Sequence, residues 1–253
     1  MLRIGWFSSG NGIGSMQLLS KVNQEISDNN LEASIEFVFT NKDPDEGKGV
    51  EKFCKFVQSL EIPLINISSN KFKSKNSAKN FDDIRSIYDD KILTTISHYN
   101  IDLIVMAGYM LFTDNKLCNE FFMLNLHPAP PNGPQGTWQK IIENLINNEY
   151  SYAGAQIQIA TTNRDQGPII SYCTFPINNN EFYNKLWLKL DKQSNLQSSE
   201  LFHQIRTDIL KREPHLLVET LKSLVSEEII LERKENFNYI CLNEKIEKSI
   251  NSN

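Results

Sequence analysis

The stretch RIGWFSSGNGIGS, residues 3–15, decides the fold. Arg3–Phe7 is an apolar run of strand length, and Leu18, Leu19, Val22 and Ile26 then fall at helical spacing. Between them Ser8 to Gly14 form a glycine-rich turn. A strand that feeds a helix through such a turn opens a βα unit of a parallel α/β sheet. Glycines there let the backbone approach an anion, and the N–H groups of the helix start point toward it. The spacing is G-x-G-x-G, not G-x-G-x-x-G, and Thr40-Asn41-Lys42-Asp43 follows the second strand with no acid in the place a ribose hydroxyl needs. A nicotinamide cofactor is therefore disfavoured. Gly10, Asn11, Gly12, Ile13 and Gly14 read either as a phosphate cradle or as a tight turn without a ligand.

The same alternation continues outward. Strands are expected at Ile35–Thr40, Ile62–Ile67, Leu103–Ala107, Met123–Leu126, Ala155–Ala160 and Ile169–Phe175. Helical spacing recurs in Val50, Phe53, Cys54, Val57 and Leu60, in Ile84, Ile87, Tyr88 and Ile96, and in Trp138, Ile141, Ile142, Leu145 and Ile146. Ser68–Asn80 and Asn178–Ser199 are polar and are expected to be loops, the first of them mobile. Leu201 to Ile209 and Leu216 to Leu224 predict two C-terminal helices, the second opened by Pro214. The expectation is an α/β, Rossmann-like fold with a mostly parallel central sheet flanked by helices. A single domain covers residues 1–230, with a core at 1–177, C-terminal helices at about 200–226 and a tail at 231–253 that is expected to fray from Asn243.

The composition narrows the class. The chain has 253 residues, 26 Lys and Arg against 31 Asp and Glu, and a net charge of -5. That balance lacks the field on which non-specific nucleic-acid binding draws. Cys54, Cys118, Cys173 and Cys241 lie far apart, which argues against a zinc site and a disulfide framework and fits a reducing, cytoplasmic setting. No apolar run approaches the roughly 18–20 residues of a membrane span, and the N-terminus reads as a strand, not a signal peptide. The partners expected are small molecules, with no nucleic acid and no membrane.

Three further segments carry chemistry. Met106 to Phe112 (MAGYMLF) follows the most apolar strand and should lie at its carboxyl edge, where open sheets bind ligands. Asn125 and His127 end the next strand on one face, and Pro128 stops it. An amide and an imidazole that project together from a strand end, ahead of the Pro/Gly-rich loop HPAPPNGPQG, point to catalysis. Asp165 stands at the tip of the turn Asn163 to Pro168. His98, His203 and His215 sit at no strand end and are expected to be dispensable for chemistry.

N-x-H-P, an Asp in D-x-G-P after it, and an opening S-G-N-G loop together resemble the folate-dependent formyltransferases, most closely the branch that acts on phosphoribosylglycinamide. FTNKD at Phe39–Asp43, FDDIR at Phe81–Arg85 and MAGYM at Met106–Met110 extend the likeness over residues 1–177. The resemblance implies a catalytic trio of Asn125, His127 and Asp165. It also implies that Gly12, Ile13 and Gly14 hold the ribonucleotide phosphate. Arg85, Met110, Leu111, Phe112 and Thr113, with Asn125, would contact the co-substrate 10-formyltetrahydrofolate. The implied reaction is formyl transfer to the amine of phosphoribosylglycinamide in purine synthesis. Chemistry supports the trio: Asn125 can donate to the oxyanion of the tetrahedral intermediate. His127, protonated, can stabilise that oxyanion and pass a proton toward the leaving nitrogen, and Asp165 would fix the ring.

Two positions depart from the pattern. Gln158 stands where these enzymes commonly have a second histidine, and Ile209 stands where a glutamate reaches the glycinamide. Asp208 and Glu213, the nearest acids, are out of register. An amino-sugar nucleotide is therefore an alternative acceptor. A nucleotide- or folate-binding module on an inactive core is the reading outside catalysis. Methionyl-tRNA formylation would need an added β-barrel, and formyl-folate hydrolysis an added N-terminal domain.

Overall fold

A computed structural model describes residues 1–111, 113–162, 166–191, 195–232 and 239–251. The chain divides into two compact units, Met1–Asn125 with Ile159–Gly167, and Leu126–Gln158 with Pro168–Asn253. Its strands follow the order β3-β2-β1-β4-β5-β6-β7-β8 in one mostly parallel sheet. The α/β class expected from the first βα turn is the one found. Among the described residues no helix is long and apolar enough to cross a membrane.

The first unit holds β1 (Leu2–Ser8), α1 (Ile13–Ser27), β2 (Ala33–Thr40), α2 (Lys48–Ser59), β3 (Leu64–Asn66), α3 (Ser69–Lys75), α4 (Arg85–Ile96), β4 (Leu103–Met106), α5 (Asn115–Glu120) and most of β5 (Phe122–His127). All its strand pairs are parallel, with Ser8 opposite Thr40, Thr40 opposite Asn66, and Met106 opposite both Phe7 and Asn125. The carboxyl ends therefore line up on one edge. β1 lies between β2 and β4, so the direction of winding reverses there and the loops after β1 and β4 part at that edge. Ile4, Trp6 and Phe7 are buried on both faces, which is why this strand reads as an unbroken apolar run. Phe7 packs against Phe39 with tilted rings at 4.6 Å and meets Tyr109 edge-on at 5.4 Å.

The second unit holds α6 (Trp138–Asn147), β6 (Tyr152–Ile159), β7 (Ile169–Pro176), α7 (Glu181–Leu188), α8 (Glu200–Val225), β8 (Ile240–Cys241) and α9 (Asn243–Asn251). β6 and β7 are antiparallel, and β7 and β8 parallel. Ala153 and Phe175 on one face of this part of the sheet pack with Ile141, Leu145, Phe202 and Ile205 of α6 and α8.

Four expectations need correction. Ser68–Asn80 contains α3: Ser68 accepts from Lys71 N, Ser69 is buried against Asn41, and Phe72 meets Tyr88 edge-on at 5.2 Å. One aromatic contact and a side-chain cap hold a turn whose composition reads as loop. Asn178–Ser199 contains α7, capped by Asn180, with Trp187 Nε1 donating to Ile177 O. Pro214 does not open a helix; it lies inside the single helix α8. An interior proline costs about 3 kcal/mol, and the buried Leu216, Leu217, Val218 and Leu221 beyond it outweigh that. The tail is not frayed from Asn243, because α9 docks there. Ile246 is buried, Asn243 bonds Thr174, and Arg212 holds Glu247 at 2.7 Å. A lone buried isoleucine among charges gives no helical stripe to read.

Candidate active site

At the carboxyl edge of the first unit two buried serines tie three loops together. Ser9 N donates to Gly108 O and Ser9 Oγ accepts from Met110 N, each at 3.0 Å. Ser9 Oγ in turn donates to Asn41 Oδ1 at 2.7 Å, and Asn41 Nδ2 reaches Ser69. Ser8 Oγ accepts from Gly10 N at 3.2 Å. The loop after β1 is thus held by side chains beneath it, and its outer backbone at Asn11 and Gly12 is exposed.

The glycines of this loop play different parts. Gly10 has φ +62°, and a Cβ there would meet the Phe53 ring at 3.1 Å, so backbone and packing both require glycine. Gly12 is extended, with φ -164°, and a Cβ there would meet nothing within 4 Å. α1 starts on Gly12 with no side-chain cap and no acid in its first turn. Neither an N-cap side chain nor a first-turn acid therefore answers its N-terminal amides and dipole, which suits the binding of an anion. Of the expected cradle, Gly10 has a structural reason to be glycine, while Asn11 and Gly12 are exposed and the backbone from Gly12 on forms the start of α1.

On the other side of β1, Arg85 opens α4, forms an ion pair with Asp82, and lines a depression of about 390 Å³ with Ser86 and Asp114. Met110 is 62% exposed and Leu111 half-buried. Thr113 is buried, with its hydroxyl 3.0 Å from Cys118 Sγ, so its side chain faces the protein. Phe112 lies outside the described residues. Asp89, which the sequence reading passed over, is 1% exposed and accepts from Asp114 N at 2.5 Å. Burial and the Asp114 carboxylate raise its carboxyl to about 7, against the amide and Arg85. A buried aspartate in the YDDK run carries no sequence signal, since it resembles the solvated acids beside it.

β5 carries Met123, Asn125 and His127 on one face, and Met123 packs with Phe7, Tyr88 and Ile92. Asn125 is half-buried and His127 only 3% exposed. His127 Nε2 lies 3.2 Å from Pro134 O. A carbonyl can only accept, so this contact puts the proton on Nε2. The proline-rich loop makes the contact possible: Gly133 N bonds Pro130 O at 2.9 Å, and a Cβ on Gly133 would meet that oxygen at 2.7 Å. Asp165, with Asn163 and Arg164, lies outside the described residues.

In the second unit, β6 contributes Gln156 and Gln158, buried to 6% and 2% exposure. Ile209 is wholly buried among Ile141, Leu145 and Phe202, so it faces no ligand. Asp208 is occupied by Tyr183 and Gln204. Glu213 pairs with Arg206, which stacks on Trp138, and burial raises its carboxyl despite that guanidinium. Neither acid stands in for the absent glutamate. Cys54 and Cys173 are buried, and burial pushes the Cys173 thiol up to about 12, far from a nucleophile. Asp43, Asp45 and Glu46 cluster in the first unit, but Lys71 bridges the two aspartates at 2.9 Å and answers their charge.

No curated protein sequence matches this chain. Its structure is similar to glycinamide ribonucleotide transformylase 1 from Symbiobacterium toebii, at 18% identity and a TM-score of 0.67 over 92% of each chain. It is similar to phosphoribosylglycinamide formyltransferase from Bacillus halodurans at 21% identity and 0.64, over 92% of this chain and all of that one. A formyltetrahydrofolate deformylase from Pseudomonas syringae matches at 15% identity and 0.65, over 92% of this chain and 64% of the other. At such identities these likenesses carry the fold. The family profile described as formyl transferase matches residues 3–197, most of the chain, and with it the chain belongs to the formyl transferase family of folate-dependent enzymes.

Proposed function

We propose that the protein transfers the formyl group of 10-formyltetrahydrofolate to the amine of phosphoribosylglycinamide. The amine lone pair attacks the formyl carbon and its carbonyl becomes an oxyanion. Collapse breaks the bond to N10, the amine loses a proton and N10 gains one, giving the formamide and tetrahydrofolate. Asn125 donates its amide to the oxyanion. His127, buried beside it on β5 with a proton already on Nε2, stabilises the oxyanion as imidazolium and returns a proton to N10. Asp165 holds the ring. Arg85, Met110 and Leu111 bind the folate, and the start of α1 binds the acceptor's phosphate.

The observation that carries the acceptor class is the uncapped, acid-free start of α1 at the carboxyl edge, which fits a phosphate. The burial of Ile209 in an apolar cluster favours one second reading, an amino-sugar nucleotide as acceptor, because the side chain expected to read glycinamide is missing. Purified protein with 10-formyltetrahydrofolate and each amine in turn decides between them. Formylated phosphoribosylglycinamide supports the first reading, and formylated amino-sugar nucleotide alone the second. Formate released without either amine would instead mean hydrolysis, the reaction named for the Pseudomonas syringae neighbour.

A further inference from the structure

We infer that Gln156, with Gln158 beside it on β6, reads the acceptor, its side-chain amide hydrogen-bonding the uncharged amine and carboxamide end of the substrate next to His127. The inference rests on the formyl-transfer reading above. It starts from a hydrogen bond: Ala160 N donates to Met123 O at 2.7 Å. Ala160 just follows β6 and Met123 is near the start of β5, and the two strands are neighbours, so they run antiparallel. Carried inward residue by residue, that pairing sets Gln156 opposite His127 on the same face of the sheet. Directly opposed residues have Cβ atoms about 4.5–5.5 Å apart, within reach of a glutamine.

Gln156 is unusual in what it lacks. Its Oε1 is sealed from solvent and has no hydrogen-bond partner. Ala153, on the other face of β6, packs into the core under α6 and α8, so Gln156 and Gln158 face away from those helices. A buried amide oxygen without a donor lowers stability, and an apolar residue of the same length would not. Such a cost at a position beside a buried histidine is the mark of a group kept for a ligand.

The chemistry selects the ligand. An amide oxygen accepts an N–H from the attacking amine without taking its proton, which leaves the lone pair free to attack. A half-turn about the soft terminal torsion exchanges Oε1 and Nε2, so the same side chain serves a carboxamide as donor or acceptor.

Gln156→Met, similar in length and apolar, is the test, with Gln156→Leu as a second variant. Three quantities are read: the melting temperature, the KM for phosphoribosylglycinamide and the KM for 10-formyltetrahydrofolate. The inference expects an unchanged or higher melting temperature, an acceptor KM raised about tenfold or more, and a folate KM within about twofold. Titration calorimetry of phosphoribosylglycinamide without folate should show the same loss of affinity. An unchanged acceptor KM or affinity in the folded variants overturns the proposal, and so does absence of binding to the unmodified protein. A melting temperature lowered by several degrees with equal effects on both substrates makes Gln156 a structural residue and overturns it too. Unmodified protein that binds phosphoribosylglycinamide but never formylates it refutes the formyl-transfer reading alone.

Discussion

Replacing Gly12 with valine separates a phosphate cradle from a tight turn, because the structure lets the two effects be told apart. Gly12 is extended, a conformation valine adopts readily, and its Cβ would meet nothing within 4 Å. The fold therefore loses only the modest preference for glycine over valine before a helix, about 1 kcal/mol or less. For a chain of this size that is a fall of about 2–4 °C in melting temperature. The ligand loses more. A charge-assisted hydrogen bond contributes about 1.5–3 kcal/mol, and the helix dipole about 0.3–1 kcal/mol. Two methyl groups in the open space before α1 should displace the anion from one such bond and part of the dipole, together about 2–4 kcal/mol. At 1.4 kcal/mol per factor of ten, the KM for phosphoribosylglycinamide rises on the order of 10²-fold. The KM for 10-formyltetrahydrofolate should stay within about twofold. Gly10→Ala is the contrast. Its φ of +62° and the Phe53 ring at 3.1 Å make it a stability variant, and it should lower the melting temperature and touch both substrates alike. Steady-state kinetics with each substrate varied in turn, on variants checked by circular dichroism, reads all of this. An acceptor KM within about threefold of the unmodified value in folded Gly12→Val refutes the cradle.

His127→Ala should lower kcat by about 10²-fold or more, with folate affinity little changed, and near-normal turnover would remove His127 from the chemistry. Asp89→Asn should flatten the pH dependence of stability. The Asp89 carboxyl keeps its proton in the folded chain until about pH 7, whereas in the unfolded chain it ionises near its ordinary value of about 4. The folded state therefore binds more protons across that window, and stability falls as pH rises through it, by at most about 1.4 kcal/mol per unit. Urea midpoints between pH 4 and 8 that run parallel in both proteins would refute this. Arg212→Ala removes two bonds to Glu247 at 2.7 and 2.8 Å and stacking over Phe175 at 4.4 Å. It should lower the melting temperature by about 4–8 °C, corresponding to about 2 kcal/mol, and raise amide exchange in α9. Unchanged exchange would mean that α9 is held by Ile246 alone.

The α/β class was legible in residues 3–15 because a buried parallel strand, a glycine turn and an amphipathic helix each leave a local pattern. For the same reason Asn125 and His127 could be placed on one face by counting: alternation along a strand is a property of the backbone. What sequence spacing does not encode is which distant groups meet. Ser9 and Asn41 are ordinary polar residues until parallel pairing brings Ser8 opposite Thr40 and their loops together. Asp89 differs from Asp90 only in pointing inward, where burial and the Asp114 amide change its chemistry. Gly10 and Gly12 look alike in a motif, and only the backbone angle and the neighbouring Phe53 separate the glycine the fold requires from the one it leaves open. α3, α7 and α9 stayed hidden because few buried side chains sustain them, with a side-chain cap at the start of α3 and of α7 and Ile246 alone buried in α9, too few to set a period. The sequence by itself therefore determined the class, the strand-end pair and the glycine loop. Tertiary structure decided which polar groups are satisfied, and it left Gln156 Oε1 without a partner. Hydrogen-bond satisfaction is a property of what surrounds a group, and those surroundings come from residues far away in the chain.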